Sequence, residues 1–260
     1  MTVLRSILFN LAFYIASALI LVLGSPLLFG PRSWAMAGLK FHARVSLFLL
    51  RWIAGVRMEV RGRDRIPKGA ALVASKHQSA WDTFALVPLL RDPAIVLKDE
   101  LKWIPVYGWF CVKFEHVLVK RDRAAVALKQ MVGDAKDRVG AGRQVLIFPE
   151  GTRRAPGDAP DYKPGYVALY EGLNVPCVPL ALNSGLFWPR RSFLRYPGTI
   201  VVEFLEPIPP GTPRAAFRKT IEARIEAASE ALIAEAGRDP RPSPLVDEAI
   251  SRLAAIKQGT

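Results

Sequence analysis

Cysteine and histidine are scarce in this chain of 260 residues, which contains two cysteines and three histidines. Cys111 and Cys177 lie in apolar runs without CxxC or metal-ligand spacing, so neither a disulfide framework nor a zinc site is supported. A reducing compartment fits this pattern. The motifs GxxxxGK[S/T] and GxGxxG are both missing, and no nucleotide or dinucleotide cofactor is therefore indicated.

The nucleophile motif of many serine hydrolases, GxSxG, is also absent. One cysteine and one histidine are close in sequence, Cys111 and His116, but they belong to no recognisable nucleophile motif. The sequence thus disfavours a serine or thiol hydrolase.

Acidic residues are outnumbered, because 23 Asp and Glu stand against 36 Lys and Arg, giving a formal net charge of +13. Such an excess favours anionic partners, among them nucleic acid, phosphorylated metabolites and acidic lipid headgroups, and charge alone does not choose among them. Hydrophobic residues make up 51% of the chain, which is enough for one substantial core.

The sequence has no charged residue over 6–31. Residues 7–23 are long and apolar enough to span a hydrocarbon layer of about 30 Å. The alternative is a cleaved secretory signal that starts at Arg5 and is cut near residues 35–37, but the run exceeds the roughly 7 to 15 apolar residues of a signal core. We predict that residues 1–57 form membrane-anchoring helices, the first of which either spans the bilayer or only embeds in it.

A second apolar segment, residues 33–56, carries a narrow basic stripe. At 100° per residue, Lys40, Arg44 and Arg51 fall within about 40° of one another. Such a helix can lie in the headgroup plane with its cations toward lipid phosphate, or it can be a core helix whose cations extend to the domain surface. Basic residues crowd after the first segment, whereas only Arg5 precedes it. The main domain is therefore expected on the cytoplasmic side, at the inner membrane if the source is bacterial.

From Met58 onward, short β-rich runs alternate with helical ones. This alternation predicts an α/β fold in which a single domain, residues 58–260, has a central sheet flanked by helices, with the N-terminal hydrophobic helical segment attached. Strands are predicted at 69–75, 94–98, 116–120, 144–148, 175–183 and 199–205. Helices are predicted at 81–90, 123–139, 165–171, 214–235 and 245–256.

His77 and Asp82 lie five residues apart, where the first of these strands gives way to a helix. In an ideal helix that spacing separates two side chains by about 140°, so they can pair only if His77 lies in the turn before the helix. An imidazole can accept a proton from a hydroxyl group, and a carboxylate on its other nitrogen fixes the tautomer. By itself the pattern is weak, since chance produces it in about 15% of such chains, and a surface or capping pair is the alternative.

A second constellation, Phe148-Pro-Glu-Gly-Thr-Arg153, follows the strand at 144–148. A glycine-containing turn after a buried strand presents backbone N–H groups, and Arg153 adds guanidinium donors, so the turn suits a phosphate. The alternative is a strand-ending turn with solvated arginines.

Between the two blocks, a short strand ends in Lys120 and Arg121. Because side chains alternate along a strand, these two are expected on opposite faces of the sheet. The apolar run at 175–182 contains two prolines. We interpret it first as a core strand and second as a lining for an acyl chain.

These residues resemble the 1-acylglycerol-3-phosphate acyltransferases, members of the glycerolipid acyltransferase superfamily. Four signature blocks of that family occur in order within residues 69–183. They are the His77 to Asp82 box, the strand 117–121 that ends in arginine, the block 148–153 and the proline block 175–182.

The resemblance implies an enzyme of phospholipid biosynthesis that moves a fatty acyl group to the sn-2 hydroxyl of 1-acyl-glycerol-3-phosphate, giving phosphatidic acid. The donor would be acyl-coenzyme A or acyl carrier protein, with no cofactor and no metal. In this mechanism His77 deprotonates the hydroxyl, Asp82 orients His77, and the oxygen attacks the thioester directly. The partners would be the lysophospholipid, the donor and an anionic membrane surface, without nucleic acid.

The resemblance also implies a phosphate-binding role for six residues. They are Arg121, Glu150, Gly151, Thr152 and Arg153, with Lys120 as a neighbour. The chain departs from many members in having Lys76 where they have asparagine, and Trp81 before the aspartate. These changes leave the histidine and aspartate intact and bear on the choice of acceptor. The alternatives are an acyltransferase for another lysolipid, such as a lyso-ornithine lipid, and a non-catalytic membrane protein that binds anionic lipid.

Overall fold

The computed structural model describes residues 1–120 and 124–258, and these residues form seven β-strands and eight α-helices. The strands are β1 (Val56–Arg61), β2 (Ala71–Ser75), β3 (Pro93–Lys98), β4 (Val117–Val119), β5 (Gln144–Ile147), β6 (Cys177–Leu182) and β7 (Gly198–Phe204). The α-helices are α1 (Thr2–Leu23), α2 (Arg32–Leu49), α3 (Asp82–Ala85), α4 (Tyr107–Lys113), α5 (Ala124–Gly140), α6 (Gly165–Leu173), α7 (Arg214–Ala236) and α8 (Leu245–Gln258).

The strands form one sheet in the order β1-β7-β6-β2-β5-β3-β4. All neighbouring pairs are parallel except β6 and β7, which are antiparallel. The central strands β2, β5 and β6 are buried along their whole length, as expected for parallel strands covered on both faces. The predicted α/β fold is confirmed.

Side chains alternate along β2 between the two faces of the sheet. Leu72 and Ala74 pack with residues of α5, α6 and α7 on one face. Val73 belongs to the other core, which includes residues of α1, α2 and α3. Helices therefore cover both faces, and β2 ends in the middle of the molecule with His77 in the turn that follows.

All six predicted strands are present, with ends that differ by at most two residues, whereas β1 and α4 were not predicted. The helix predicted at 81–90 is shorter than expected. It ends after Ala85 and is followed by a 3₁₀ turn, Val87–Leu89, in which Pro88 provides no N–H group for an α-helix. The helix predicted at 123–139 is α5, and Arg123 itself lies outside the described residues. The division of the chain at residues 57 and 58 stays a prediction.

Among the described residues, one helix, α1, is long and apolar enough to cross a membrane, and only 11% of its most apolar stretch is buried. Its buried edge is near its start, where the Phe9 ring packs edge-on against Trp188 with centroids 5.3 Å apart. The Ser6 hydroxyl oxygen accepts a hydrogen bond from the backbone N–H of Arg195 at 2.8 Å. Further along the same side, Ser17 lies within hydrogen-bonding distance of His42 on α2, at 2.9 Å, and Phe13 packs against Trp188. These contacts fix α1 to the protein along one side, while the opposite side of the helix is exposed.

The basic stripe on the second N-terminal helix divides into two parts. Lys40 donates to the carbonyl oxygens of Leu90 and Arg91 at 2.9 and 2.6 Å, so it binds the domain. Arg44 and Arg51 are exposed. Lys40 therefore behaves like a cation of a core helix, whereas Arg44 and Arg51 can face an anionic surface.

Candidate active site

The turn between β2 and α3 brings His77 and Asp82 together. His77 lies before the helix and Asp82 is its first residue, so the five-residue spacing closes into a hydrogen bond of 2.9 Å between Nδ1 and Oδ2. A carboxylate can only accept, so Nδ1 carries the hydrogen and Nε2 is left with a free lone pair. The His77 side chain is 12% exposed, which leaves the ring accessible to a substrate hydroxyl.

The Asp82 carboxylate is fully buried and held by three more donors. Oδ2 accepts from the backbone N–H groups of Gln78 and Ser79 at 2.8 and 2.9 Å. Oδ1 accepts from the Ser184 hydroxyl at 2.6 Å. These bonds hold the Asp82 carboxylate in place. The carboxylate can therefore hold the His77 ring in the orientation that a general base requires.

The block that begins at Phe148 lies directly against the histidine. The rings of His77 and Phe148 stack with centroids 4.1 Å apart and an interplanar angle of 24°. The backbone N–H of Arg154 donates to the His77 carbonyl at 2.9 Å. β2 and β5 are parallel neighbours, so the turns after them meet at the same edge of the sheet.

Glu150 points into the protein and pairs with Lys76. The Lys76 ammonium lies 3.0 Å from Glu150 Oε1 and 2.8 Å from Oε1 of Glu226, a residue of α7. Tyr162 donates to the same Glu226 oxygen at 2.7 Å. Burial raises the pKa of Glu150 above its usual value, and the neighbouring Lys76 opposes this rise. Lys76, which stands where many members of the resembled family have asparagine, is thus the centre of an ionic cluster beside His77.

The remaining predicted residues are more exposed. Gly151 has a φ of +62°, a conformation that favours glycine, and its N–H donates to the Phe148 carbonyl at 2.9 Å. Thr152 is exposed and Arg153 is half-buried. Lys120 is exposed at the end of β4, the edge strand, and Arg121 lies outside the described residues.

A cleft of about 360 Å³ opens beside this turn, and Arg153 lines it together with Ala80 and Thr83, which flank Asp82 in sequence. The other wall includes Arg191 and Arg195, from the loop after β6. Sequence reasoning missed this loop, together with Ser184 and Glu226. The position of Ser184 just after β6 could have marked it, because β6 is a parallel neighbour of β2.

Cys111 and His116 do not form a nucleophile pair. Burial raises the pKa of the Cys111 thiol to about 11, which disfavours the reactive thiolate. The His116 imidazole is buried, and its Nδ1 accepts from the backbone N–H of Ile95 at 3.2 Å. Among the described residues, no three His, Cys, Asp or Glu side chains are grouped as metal ligands.

Residues 57–183 match the family model described as "Acyltransferase". A 1-acyl-sn-glycerol-3-phosphate acyltransferase of Pseudomonas aeruginosa is 38% identical over 159 residues, which cover 61% of this chain and 62% of that protein. This part of the chain is similar to the acyltransferase family. The acyltransferase motifs found in the sequence lie inside the matched region, and the resemblance based on them is confirmed.

Further relatives of this chain come from plants and mammals. A 1-acyl-sn-glycerol-3-phosphate acyltransferase of Limnanthes alba is 30% identical over 162 residues, covering 62% of this chain and 57% of that protein. The human 1-acyl-sn-glycerol-3-phosphate acyltransferase alpha is 29% identical over 169 residues, covering 64% and 60%. The chain thus spans about three fifths of the length of these curated relatives.

A solved structure shares the fold of this chain over most of its length. The 1-acyl-sn-glycerophosphate acyltransferase PlsC of Thermotoga maritima aligns with a TM-score of 0.76 at 25% identity. The alignment covers 89% of this chain and 98% of the other.

Proposed function

We propose that this acyltransferase moves a fatty acyl group from an acyl thioester to the sn-2 hydroxyl of 1-acyl-glycerol-3-phosphate, giving phosphatidic acid for phospholipid biosynthesis. The observation that carries the proposal is the 2.9 Å bond between His77 and the buried Asp82, next to the turn that ends in Arg153. The names of the bacterial, plant and mammalian relatives support the same reaction.

In this proposal His77 is the general base. Its Nε2 takes the proton of the acceptor hydroxyl while the oxygen attacks the thioester carbonyl carbon, forming the new ester C–O bond. The C–S bond then breaks, and the leaving thiolate takes the proton from His77. Asp82 stabilises the imidazolium formed on the way. The donor, acyl-coenzyme A or acyl carrier protein, is a substrate, and the mechanism uses neither a cofactor nor a metal.

The phosphate of the acceptor is assigned to the turn after β5 and its neighbours. Arg153 is half-buried at the cleft, and Gly151 and Thr152 provide an exposed turn beside it. Lys120 and Arg121 remain candidates for the same role. Glu150 supports the turn through Lys76, because its carboxylate is 1% exposed and paired with that ammonium group.

The membrane supplies the acceptor in this proposal. Because α1 packs on the protein along one side and exposes apolar residues on the other, we assign it to the leaflet that faces the domain, with Arg44 and Arg51 toward anionic headgroups. Residues 1–57 are the anchor and residues 58–260 the catalytic domain. The catalytic domain faces the cytoplasm, where thioester donors are soluble.

The test uses full-length protein in liposomes with lysophosphatidic acid and a labelled acyl-coenzyme A or carrier-protein thioester, with phosphatidic acid followed by mass spectrometry. Wild type should form phosphatidic acid. His77→Ala should lower the rate by about 10²- to 10⁴-fold. Equal activity in a folded His77→Ala variant would exclude the general-base role.

The same assay decides between acceptors. Absence of phosphatidic acid with both donors would overturn the phosphate-bearing acceptor. Turnover of another lysolipid, such as a lyso-ornithine lipid, would then support the alternative acyltransferase. Absence of transfer to any lysolipid would favour the non-catalytic lipid-binding protein.

A further inference from the structure

The cleft beside the candidate active site has a mixed wall of cations and aromatic rings. Its three cations are Arg153, Arg191 and Arg195, and no aspartate or glutamate is among the described residues that line it. Phe13 of α1 and Trp188 contribute apolar surface. In this cleft, three positive charges therefore lie next to α1, the helix that we assign to the membrane.

Arg195 is a buried cation that pairs with no carboxylate among the described residues. Its side chain is 4% exposed, and its guanidinium carbon lies 4.0 Å above the Trp188 ring. Its terminal nitrogens donate to the carbonyl oxygens of Ser192 and Leu194 and to the Asn10 side chain, and no acceptor for its Nε exists among the described residues. Burial lowers the pKa of Arg195 to about 10. A bound anion would offset the cost of burying this charge.

Arg191 is held in a strained conformation at the same cleft. Its φ of +57° lies in the left-handed region, which arginine rarely adopts and which is often retained for function. Its side chain is exposed and has no hydrogen-bond or ion-pair partner in the part of the chain that the structure describes. Arg190 donates to the Arg153 carbonyl at 2.7 Å and so joins this loop to the turn after β5.

We propose that Arg191, together with Arg195 and Arg153, binds the phosphate group of the lysophospholipid acceptor. This inference rests on the proposed acyltransferase function and adds two arginines that lie outside the four signature blocks. Coenzyme A also carries phosphate groups, but one wall of the cleft is α1, and a lipid acceptor reaches the enzyme from that side. A guanidinium fork suits a phosphate, since it can donate two parallel hydrogen bonds.

The test compares wild type with Arg191→Asn in liposomes, because asparagine tolerates the left-handed backbone but removes the charge. The KM for lysophosphatidic acid at saturating donor should rise about 10- to 100-fold, while the KM for the donor stays within about twofold. Arg191→Lys should recover part of the loss. Arg63→Asn is the matched control, because it removes another exposed arginine that lines no part of the cleft.

An unchanged KM for lysophosphatidic acid in Arg191→Asn would overturn the inference while leaving the proposed function intact. A rise in the donor KM alone would assign the cleft to the phosphates of coenzyme A and overturn the acceptor assignment. A second measurement does not depend on catalysis. It compares the equilibrium binding of lysophosphatidic acid with that of 1-monoacylglycerol, which lacks the phosphate, in detergent micelles without donor.

In that binding measurement, wild type should prefer lysophosphatidic acid, and Arg191→Asn should abolish the preference. Equal preference in wild type and variant would reject the site even if no reaction were detected. Matching thermal unfolding midpoints would exclude a folding defect in the variant.

Discussion

The hydroxyl group of Ser184 donates a 2.6 Å hydrogen bond to Oδ1 of Asp82, although the two residues are 102 positions apart in the chain. Ser184 follows β6, and Asp82 follows β2 by one turn. Because β2 and β6 are parallel neighbours, the fold brings their carboxyl ends to the same place. The serine fixes the carboxylate that fixes the proposed base.

Replacing Ser184 by alanine should lower kcat about 10-fold and leave both KM values nearly unchanged, because Ser184 positions Asp82 and is not assigned a contact with substrate. The matched control is Ser229→Ala, since the Ser229 hydroxyl is buried with no partner among the described residues. Steady-state kinetics with varied acceptor and varied donor measures the split. A kcat equal to that of the control would remove Ser184 from the catalytic arrangement.

The local parts of the site were predictable from the sequence. The five-residue spacing of His77 and Asp82 required a turn before a helix, and the structure has that turn. The alternation of apolar runs predicted the sheet, because buried parallel strands read as continuous apolar segments. β1 was missed because Val56–Arg61 is an edge strand with a charged residue at every second position, so it lacks the continuous apolar run that marks the central strands.

The long-range parts were not predictable. Glu226 reaches Lys76 from α7, and Arg191 and Arg195 reach the cleft from the loop after β6. The residues around Glu226 and around these arginines contain no motif that predicts such contacts, because the contacts depend on how helices and loops pack on the sheet. The resemblance assigned Glu150 to phosphate, whereas its buried position beside Lys76 favours an indirect role.

The buried cluster of Lys76 predicts a stability effect that depends on pH. Lys76→Met leaves the carboxylates of Glu150 and Glu226 without their cation, which should cost about 3 to 5 kcal/mol at pH 8. The pKa of Glu150 is already raised by burial, and the loss of Lys76 raises it further. The folded variant therefore binds a proton that the unfolded chain releases, so its deficit should shrink as the pH falls toward 5.

Urea unfolding in detergent micelles at pH 8 and pH 5 measures this effect. Lys163→Met serves as the control, because Lys163 pairs with Asp161 at the exposed surface, where solvent screens the pair and its loss should change stability little. Adding Glu226→Gln to Lys76→Met should restore part of the stability by removing one of the two carboxylates. A deficit of equal size at both pH values would contradict the proposed coupling.

His116 predicts a second pH effect with the opposite sign. Burial lowers its pKa to about 3, with help from the nearby Arg143, and the Ile95 N–H occupies the Nδ1 lone pair. The folded state keeps the imidazole neutral, whereas the unfolded chain protonates near pH 6.5. This contribution to stability is present above pH 6.5 and is lost as the pH falls toward 3.

The expected slope from His116 is about 1.4 kcal/mol per pH unit across that window. His116→Gln lacks the titrating group, so its free energy of unfolding should fall less steeply between pH 6.5 and pH 4.5 than that of wild type. Comparing the two slopes cancels the contribution of the carboxylates that titrate in both proteins. Parallel curves would show that His116 does not carry the effect.

The uncovered face of α1 predicts how the protein holds the membrane. Ile15 and Leu19 are 51% and 54% exposed and lie one turn apart, away from the edge formed by Ser6 and Phe9. Burial of two such side chains in lipid contributes about 1.5 to 3 kcal/mol each, so Ile15→Asp with Leu19→Asp should weaken vesicle binding by at least about 100-fold. Flotation with anionic vesicles measures the bound fraction.

The control for this change is Val126→Asp on α5, a side chain that is 62% exposed on the α/β domain and that we do not assign to the membrane. It should float like wild type. Because the double substitution spares the docking edge of α1, the thermal unfolding midpoint of the soluble fraction should change little. Full flotation of the double variant would mean that the anchor lies elsewhere. Loss of flotation with retained folding would identify the exposed apolar face of α1 as the part that enters the lipid.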